Sequence, residues 1–172
     1  MDYAELLTYP LDTTHFYGLI FLLGSLTVAS LSDLRRMAAQ QDFAEVWAAF
    51  TGIMFLYDTY LATTSNLPLL IFAAKWLLIL AIAVATTTKI HFGISLMDIS
   101  AIAALLACVN PAHIIAALVM LLILGELMNP LLKNFGEAGA YPYLPIVLTT
   151  TLLIILLHIT GLFPPTATAT NL

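Results

Sequence analysis

Two aspartates stand at the ends of long apolar stretches of this chain. Asp33 closes the first stretch in the segment SLSDLRR, and Asp98 opens the fourth in the segment GISLMDISAIAALLACVNP. A chain that crosses a layer in alternating directions brings the end of its first crossing and the start of its fourth to the same side. Two carboxyl groups at one depth in a medium of low dielectric constant can hold one proton between them, one acting as base on a water and the other as acid on a carbonyl. The residue types therefore permit the chemistry of aspartyl proteolysis.

The composition indicates a membrane protein. Of the 172 residues, 62% are hydrophobic and only 9% are charged, and the mean hydropathy is +1.02; both values lie beyond those of ordinary soluble domains. The single cysteine, Cys108, cannot build a disulfide framework or a cysteine metal site. The sequence contains no phosphate-binding glycine loop, no HExxH motif and no basic aromatic surface. We therefore expect no cofactor, no metal and no nucleic-acid partner.

Six apolar runs are long enough to be membrane spans, which need about 17 to 25 residues each. Lipid offers backbone polar groups no hydrogen-bond partner, so each run is expected to be helical. The predicted fold is all-α, a polytopic bundle of six transmembrane helices in one domain over residues 1–163, followed by a short disordered tail over 164–172. The expected spans are roughly 14–34, 43–63, 67–88, 94–110, 112–131 and 143–163.

The basic residues predict the orientation of these spans. Arg35 and Arg36 follow the first span, Lys89 follows the third and Lys133 follows the fifth, whereas the other connections and both termini carry no Lys or Arg. Basic connections tend to remain cytoplasmic. We therefore expect a plasma-membrane protein with both termini outside and both aspartates near the cytoplasmic face.

The remaining basic residue, Lys75, falls within the third span. Its ammonium group either extends to the membrane surface or pairs with Glu126 on the fifth span. An ionisable pair inside a membrane is a candidate functional site, although a structural ion pair accounts for it equally well.

Both aspartates also have a purely structural interpretation. Ser95 and Asp98 match the S-x-x-D capping pattern, in which the hydroxyl and the carboxylate satisfy backbone N–H groups at a helix start. Asp33, beside Arg35 and Arg36, is then an ordinary interfacial charge. The residue types alone leave both interpretations open.

Three segments together resemble the type IV prepilin and preflagellin (archaellin) peptidases, which are membrane aspartyl proteases of the GxGD type. They are SLSDLRRM, SLMDISAIAAL and YPYLPIVLTTTLLIILLHITG, in the order found in that family. The resemblance implies that Asp33 and Asp98 are catalytic and that the active site faces the cytoplasm. Ser95 replaces the first glycine of the GxGD motif, and Met97 fits its relaxed archaeal form. The cysteine-rich insert associated with N-methylation is absent from this sequence, so cleavage without methyltransferase activity is expected.

The implied function is removal of the short basic leader from prepilin-like or prearchaellin-like substrates (class III signal peptides) at the cytoplasmic face of the bilayer. Ser95 and Met97 are expected to lie against the substrate, and an acidic rim on the connecting segments is expected to orient the leader. The alternatives are a catalytically inactive relative that acts as a membrane scaffold, or a small carrier that uses Lys75, Asp98 and Glu126. The acidic rim consists of Asp42, Glu45 and Glu137.

Overall fold

The chain folds into α-helices joined by short connections. The structure, a computed structural model, describes residues 12–36, 41–64, 69–88, 95–132, 134 and 142–160. Within these ranges there are six helices and no strand, so the predicted all-helical class is confirmed for this part of the chain. The helices are α1 (Thr13–Arg36), α2 (Gln41–Thr64), α3 (Leu69–Thr88), α4 (Leu96–Ala107), α5 (Pro111–Leu132) and α6 (Leu144–Ile159).

Local sequence accounts for where α1 and α5 begin. The Asp12 carboxylate accepts backbone N–H groups from the first turn of α1, including that of His15 at 3.3 Å. At α5, the side-chain oxygen of Asn110 accepts the His113 N–H at 2.9 Å, and Pro111 occupies the first helical position. An Asx residue followed by proline is a favoured helix start, because the side chain satisfies an orphan donor and proline lacks the N–H that would be unsatisfied there.

The short helix α4 lies at the centre of the bundle. It contacts α1, α2, α3 and α6, while α1 packs mainly against α6, and α5 lies beside α6 and α3. Most residues of α4 are buried, and its neighbours contribute large apolar side chains to the same core. Fully buried members of this core include Leu19, Leu22 and Leu26 of α1, Trp47 of α2, Leu105 and Leu106 of α4, and Ile146 and Ile154 of α6.

Each predicted span overlaps one helix, but the helices differ in length. Two stretches, Thr13–Arg35 in α1 and His113–Leu132 in α5, are long and apolar enough to cross a membrane, judged by length and composition. Helix α4 has only 12 residues, about 18 Å at 1.5 Å per residue. The expected tail over 164–172, together with Lys89 and Lys133, lies outside the described residues.

Candidate active site

Asp98 lies in the first turn of α4 and is 7% exposed. The Ser95 hydroxyl accepts the Asp98 N–H at 3.2 Å, and the Asp98 Oδ2 atom accepts the Ser95 N–H at 2.8 Å. This is the reciprocal capping box that the S-x-x-D pattern predicts, so the capping interpretation is confirmed. The Ser95 hydroxyl also lies 2.8 Å from Oδ2. Oδ2 therefore takes up every hydrogen bond that Asp98 accepts from the described residues, and Oδ1 accepts none.

Asp33 lies near the carboxyl end of α1 and is partly buried. Its carboxylate lies near the backbone N–H of Leu144, the first residue of α6. The residue that precedes α6, Tyr143, makes no side-chain capping hydrogen bond. Asp33 thus supplies a carboxylate to the positive amino end of α6 from a neighbouring helix. Asp33 and Arg35 form no ion pair among the described residues, and Arg35 is exposed.

The two aspartates lie near one another although they come from distant parts of the sequence. The Asp33 and Asp98 carboxylates are close enough to interact electrostatically. Asp98 is held at the amino end of α4 by its capping box, and Asp33 lies near the amino end of α6. Two carboxyl groups can share a proton and act as an acid and base pair when they come within hydrogen-bonding distance of each other. The structure brings Asp33 and Asp98 into the same neighbourhood, which is the first requirement for such a pair.

The other predicted site residues surround this pair less closely. Met97 is partly buried and packs against the hydrophobic core, and Ser95 is exposed but engaged with Asp98. Asp42 and Glu45 are exposed on the first turns of α2. Because α2 begins shortly after α1 ends, these two acids lie at the same end of the bundle as Asp33. Glu137 lies outside the described residues.

A second polar cluster, which the sequence interpretation missed, lies inside the bundle. The Lys75 ammonium donates to Asp58 Oδ2 at 2.7 Å and to the backbone oxygen of Ala107 at 2.8 Å. The Trp76 indole N–H donates to the same Oδ2 at 3.0 Å, and His15 Nε2 lies 2.9 Å from Asp58 Oδ1. The side chains of Asp58 and Lys75 are each 1% exposed. This cluster joins α1, α2, α3 and the carboxyl end of α4.

The cluster corrects the expectation for Lys75. Its ammonium neither extends to the surface nor pairs with Glu126, because its ion-pair partner is Asp58 and Glu126 is exposed on α5. The positions of the two residues in the sequence indicate this pair. Asp58 lies six residues before the end of α2 at Thr64, and Lys75 lies six residues after the start of α3 at Leu69. Consecutive antiparallel helices joined by a short connection place such positions at equal depth.

The two clusters occupy different levels of the molecule. Ala107 lies nine positions after Asp98 in α4, which corresponds to about 14 Å along the helix axis. Helix α4 therefore carries the aspartate at its amino end and receives the Lys75 ammonium at its carboxyl end. Comparison of the chain with models of known protein families, with curated proteins and with solved structures gives no match.

Proposed function

We propose that this protein is a membrane aspartyl endopeptidase that removes the short basic leader of prepilin-like or prearchaellin-like substrates. In this proposal its six helices cross the plasma membrane, both termini lie outside, and cleavage takes place at the cytoplasmic face. The observation that supports the proposal is the proximity of Asp33 to Asp98 at one end of an apolar helical bundle. The resemblance of three segments to the GxGD-type peptidases names the substrate class.

The proposed reaction is hydrolysis by a carboxyl pair that holds one proton. The ionised carboxylate takes a proton from a water, which attacks the carbonyl carbon of the scissile peptide, while the protonated carboxyl donates its proton to the carbonyl oxygen. The tetrahedral intermediate then collapses with cleavage of the C–N bond. The proton taken from the water passes to the leaving amine, and a hydroxyl of the intermediate returns a proton to the carboxylate that had donated one. The Asp98 carboxylate is oriented by its capping box before substrate arrives, and the Asp33 carboxylate lies near the amino end of α6. Such preorganisation is what acid and base groups need for efficient proton transfer.

The exposed surface of α5 supports a lipid environment. In the most apolar part of His113–Leu132 only 17% of the residues are buried inside the protein. A large apolar surface of this kind is uncommon on soluble monomers and is typical of contact with lipid or protein. Helix α1 meets the same criteria of length and composition. The other four crossings are part of the proposal, because α4 in particular is shorter than the roughly 20 residues that a span normally needs.

Cysteine accessibility tests the proposed orientation. In a Cys108→Ser background, single cysteines at Gln40 and Glu137 should be protected from an impermeant thiol reagent in intact cells, because their connections follow the basic ends of odd-numbered spans. A cysteine at Asn66 should react. Reaction at Gln40 with protection at Asn66 would reverse the orientation and place both aspartates on the wrong side for the proposed substrates.

Substitution of each aspartate tests the chemistry. In cells that also express a tagged prepilin, Asp33→Asn or Asp98→Asn should abolish leader removal on a gel, because an amide can neither activate water nor donate the shared proton. Asp42→Asn is the matched control, since it removes an exposed carboxylate at the same end of the bundle. It should retain most of the cleavage.

Ser95→Ala separates catalysis from capping. This variant removes the hydroxyl that accepts the Asp98 N–H but keeps the Asp98 carboxylate. If capping is all that Asp98 does, Ser95→Ala and Asp98→Asn should have similar effects on stability and on cleavage. If Asp98 is catalytic, Ser95→Ala should lower stability by about 1 kcal/mol and leave measurable cleavage. Normal cleavage by folded Asp98→Asn protein would refute the proposal.

One observation favours a second candidate function, a catalytically inactive relative that acts as a membrane scaffold. The complete capping box gives Asp98 a structural purpose that needs no catalysis. A scaffold of this kind would leave the substrate uncut in the same assay. The carrier alternative has less support, because Lys75 is enclosed by Asp58 and Ala107, and Glu126 is exposed on a different helix. The structure thus does not bring together the three residues that the carrier would use.

A further inference from the structure

Helix α4 has an unusual means of attachment at its carboxyl end. The last helical residue, Ala107, offers its carbonyl oxygen to the Lys75 ammonium, which reaches it from α3. Lysine side chains near a helix carboxyl end satisfy orphan carbonyl groups and interact favourably with the helix dipole. Lys75 is 1% exposed, and a buried ammonium is tolerated only when it is paired. Asp58 supplies that pairing at 2.7 Å.

The buried face of α4 carries both small and large side chains. Ala101, Ala104 and Ala107 recur at intervals of three and are fully buried, and Ile102, Leu105 and Leu106 pack in the core beside them. Small side chains allow close helix approach, and apolar packing of this kind has no directional polar contact. The directional contacts of α4 are at its ends, with the capping box at Ser95 and the Lys75 contact at Ala107. A shift at the carboxyl end would therefore move Asp98 at the amino end by a similar distance.

We propose that Lys75 is a positioning residue for Asp98, because it holds the carboxyl end of α4 by its hydrogen bond to Ala107 while Asp58 neutralises its charge. This inference rests on the proposed peptidase function for its catalytic consequence. The attachment itself does not depend on that function. The two parts can therefore be tested separately.

Cys108 provides a native reporter for the attachment. It follows Ala107 directly, it is fully buried, and it is the only cysteine in the chain. Labelling of purified protein in detergent by a small maleimide should therefore require the carboxyl end of α4 to open. The rate of Cys108 labelling under native conditions measures that opening without any substrate.

The decisive variant removes both charges of the pair. Asp58→Asn with Lys75→Met leaves no buried charge unpaired, yet methionine cannot donate to Ala107. Losing a charged hydrogen bond of this kind should raise the Cys108 labelling rate by about tenfold to a hundredfold. Lys75→Arg keeps a cationic donor on the same helix and should return the rate toward that of wild type. Labelling of the double variant at the wild-type rate would overturn the attachment.

Trp76→Phe is the matched control. The Trp76 indole donates to the same Asp58 oxygen as Lys75 does, but no contact joins it to Ala107. If Lys75 acts through Ala107, Trp76→Phe should raise the labelling rate far less than the double variant does, since it removes a donor to the Asp58 carboxylate and alters the ring 5.5 Å from Lys75 Nζ but keeps the hydrogen bond from Lys75 to Ala107. An increase equal to that of the double variant would show general loosening around Asp58 and would contradict the proposal.

Cleavage kinetics test the positioning role. For folded double variant, kcat on a prepilin substrate should fall by about tenfold to a hundredfold with KM unchanged, as expected when a reacting group is displaced by about 1 Å. Lys75→Arg should recover kcat. A wild-type kcat in the double variant would refute positioning while leaving the peptidase proposal intact. If wild type itself fails to cleave but Cys108 labelling follows the expected pattern, the peptidase proposal fails and the attachment of α4 stands.

Discussion

The buried pair formed by Asp58 and Lys75 allows a quantitative test of the fold. Sequence considerations alone treat Asp58→Asn as a tolerated change, because Asp58 has no place in the proposed chemistry. The structure gives a different expectation. Asp58 accepts hydrogen bonds from Lys75 and Trp76 and contacts His15, and both members of the ion pair are 1% exposed. Breaking such a pair from one side leaves an uncompensated charge in a medium of low dielectric constant.

The magnitudes follow from the partners that each variant retains. Asp58→Asn leaves the Lys75 ammonium with the neutral Ala107 carbonyl as its main acceptor, so a loss of about 4 kcal/mol in the free energy of unfolding is expected. Lys75→Met leaves the Asp58 carboxylate with the Trp76 and His15 contacts, and a loss of about 3 kcal/mol is expected. If the two effects were independent, the double variant would lose about 7 kcal/mol. Because both charges of the ion pair are then absent, we expect a loss of about 4 kcal/mol or less, which is a coupling of about 3 kcal/mol or more.

Equilibrium unfolding in mixed micelles measures these values, with tryptophan fluorescence as the signal. Of the two tryptophans in the chain, Trp76 belongs to the cluster and Trp47 is fully buried in the core. Losses below about 1 kcal/mol for both single variants would mean that the pair is hydrated or absent. A double variant whose loss equals the sum of the single losses would mean that Asp58 and Lys75 do not interact in the folded protein.

Two further predictions concern the packing of α1 and the acidic rim. A Cβ atom at Gly18 would lie 3.1 Å from the Cys108 sulfur and 3.2 Å from the Phe50 ring. Gly18→Val should therefore destabilise the fold by about 1 to 3 kcal/mol through overpacking. Gly24→Val is the control, because the space around its Cβ position is open, and it should lower the free energy of unfolding less in the same assay. Neutralising the acidic rim should weaken cleavage several-fold and flatten the salt dependence of cleavage, but cleavage should remain measurable, because exposed contacts to a basic leader are each worth about 1 kcal/mol or less. An equal loss of cleavage on substrates with and without leader lysines would show that the rim does not recognise the leader. The rim variant combines Asp42→Asn, Glu45→Gln and Glu137→Gln.

The sequence predicted the helices better than the contacts between them. Apolar runs and local capping signals predicted six helices and the capping box of Ser95 and Asp98, because both depend on residues close together in the chain. The contact between Asp33 and the amino end of α6 was not predicted, since it depends on how α1 is rotated against α6. In these helices apolar residues occur on nearly all faces, so the usual amphipathic pattern gives little information about rotation. The pairing of Lys75 with Asp58 was missed for the same reason, although equal depth on consecutive helices would have indicated it.

Capping and catalysis are compatible at Asp98 because they use different oxygen atoms. The capping box and the Ser95 hydroxyl engage Oδ2, and Oδ1 accepts no hydrogen bond from the described residues. A carboxylate that is held by one oxygen is oriented while its other oxygen keeps its capacity to accept a proton, which is what a general base requires. The serine that replaces the motif glycine would then fix the direction of the Asp98 carboxylate as well as start α4. On this view a glycine at position 95 would keep the backbone N–H contact to Oδ2 but lose the hydroxyl. Asp98 would then be less firmly oriented, so Ser95→Gly should lower kcat of the proposed reaction. The free energy of unfolding should change little, since glycine is itself an acceptable helix N-cap.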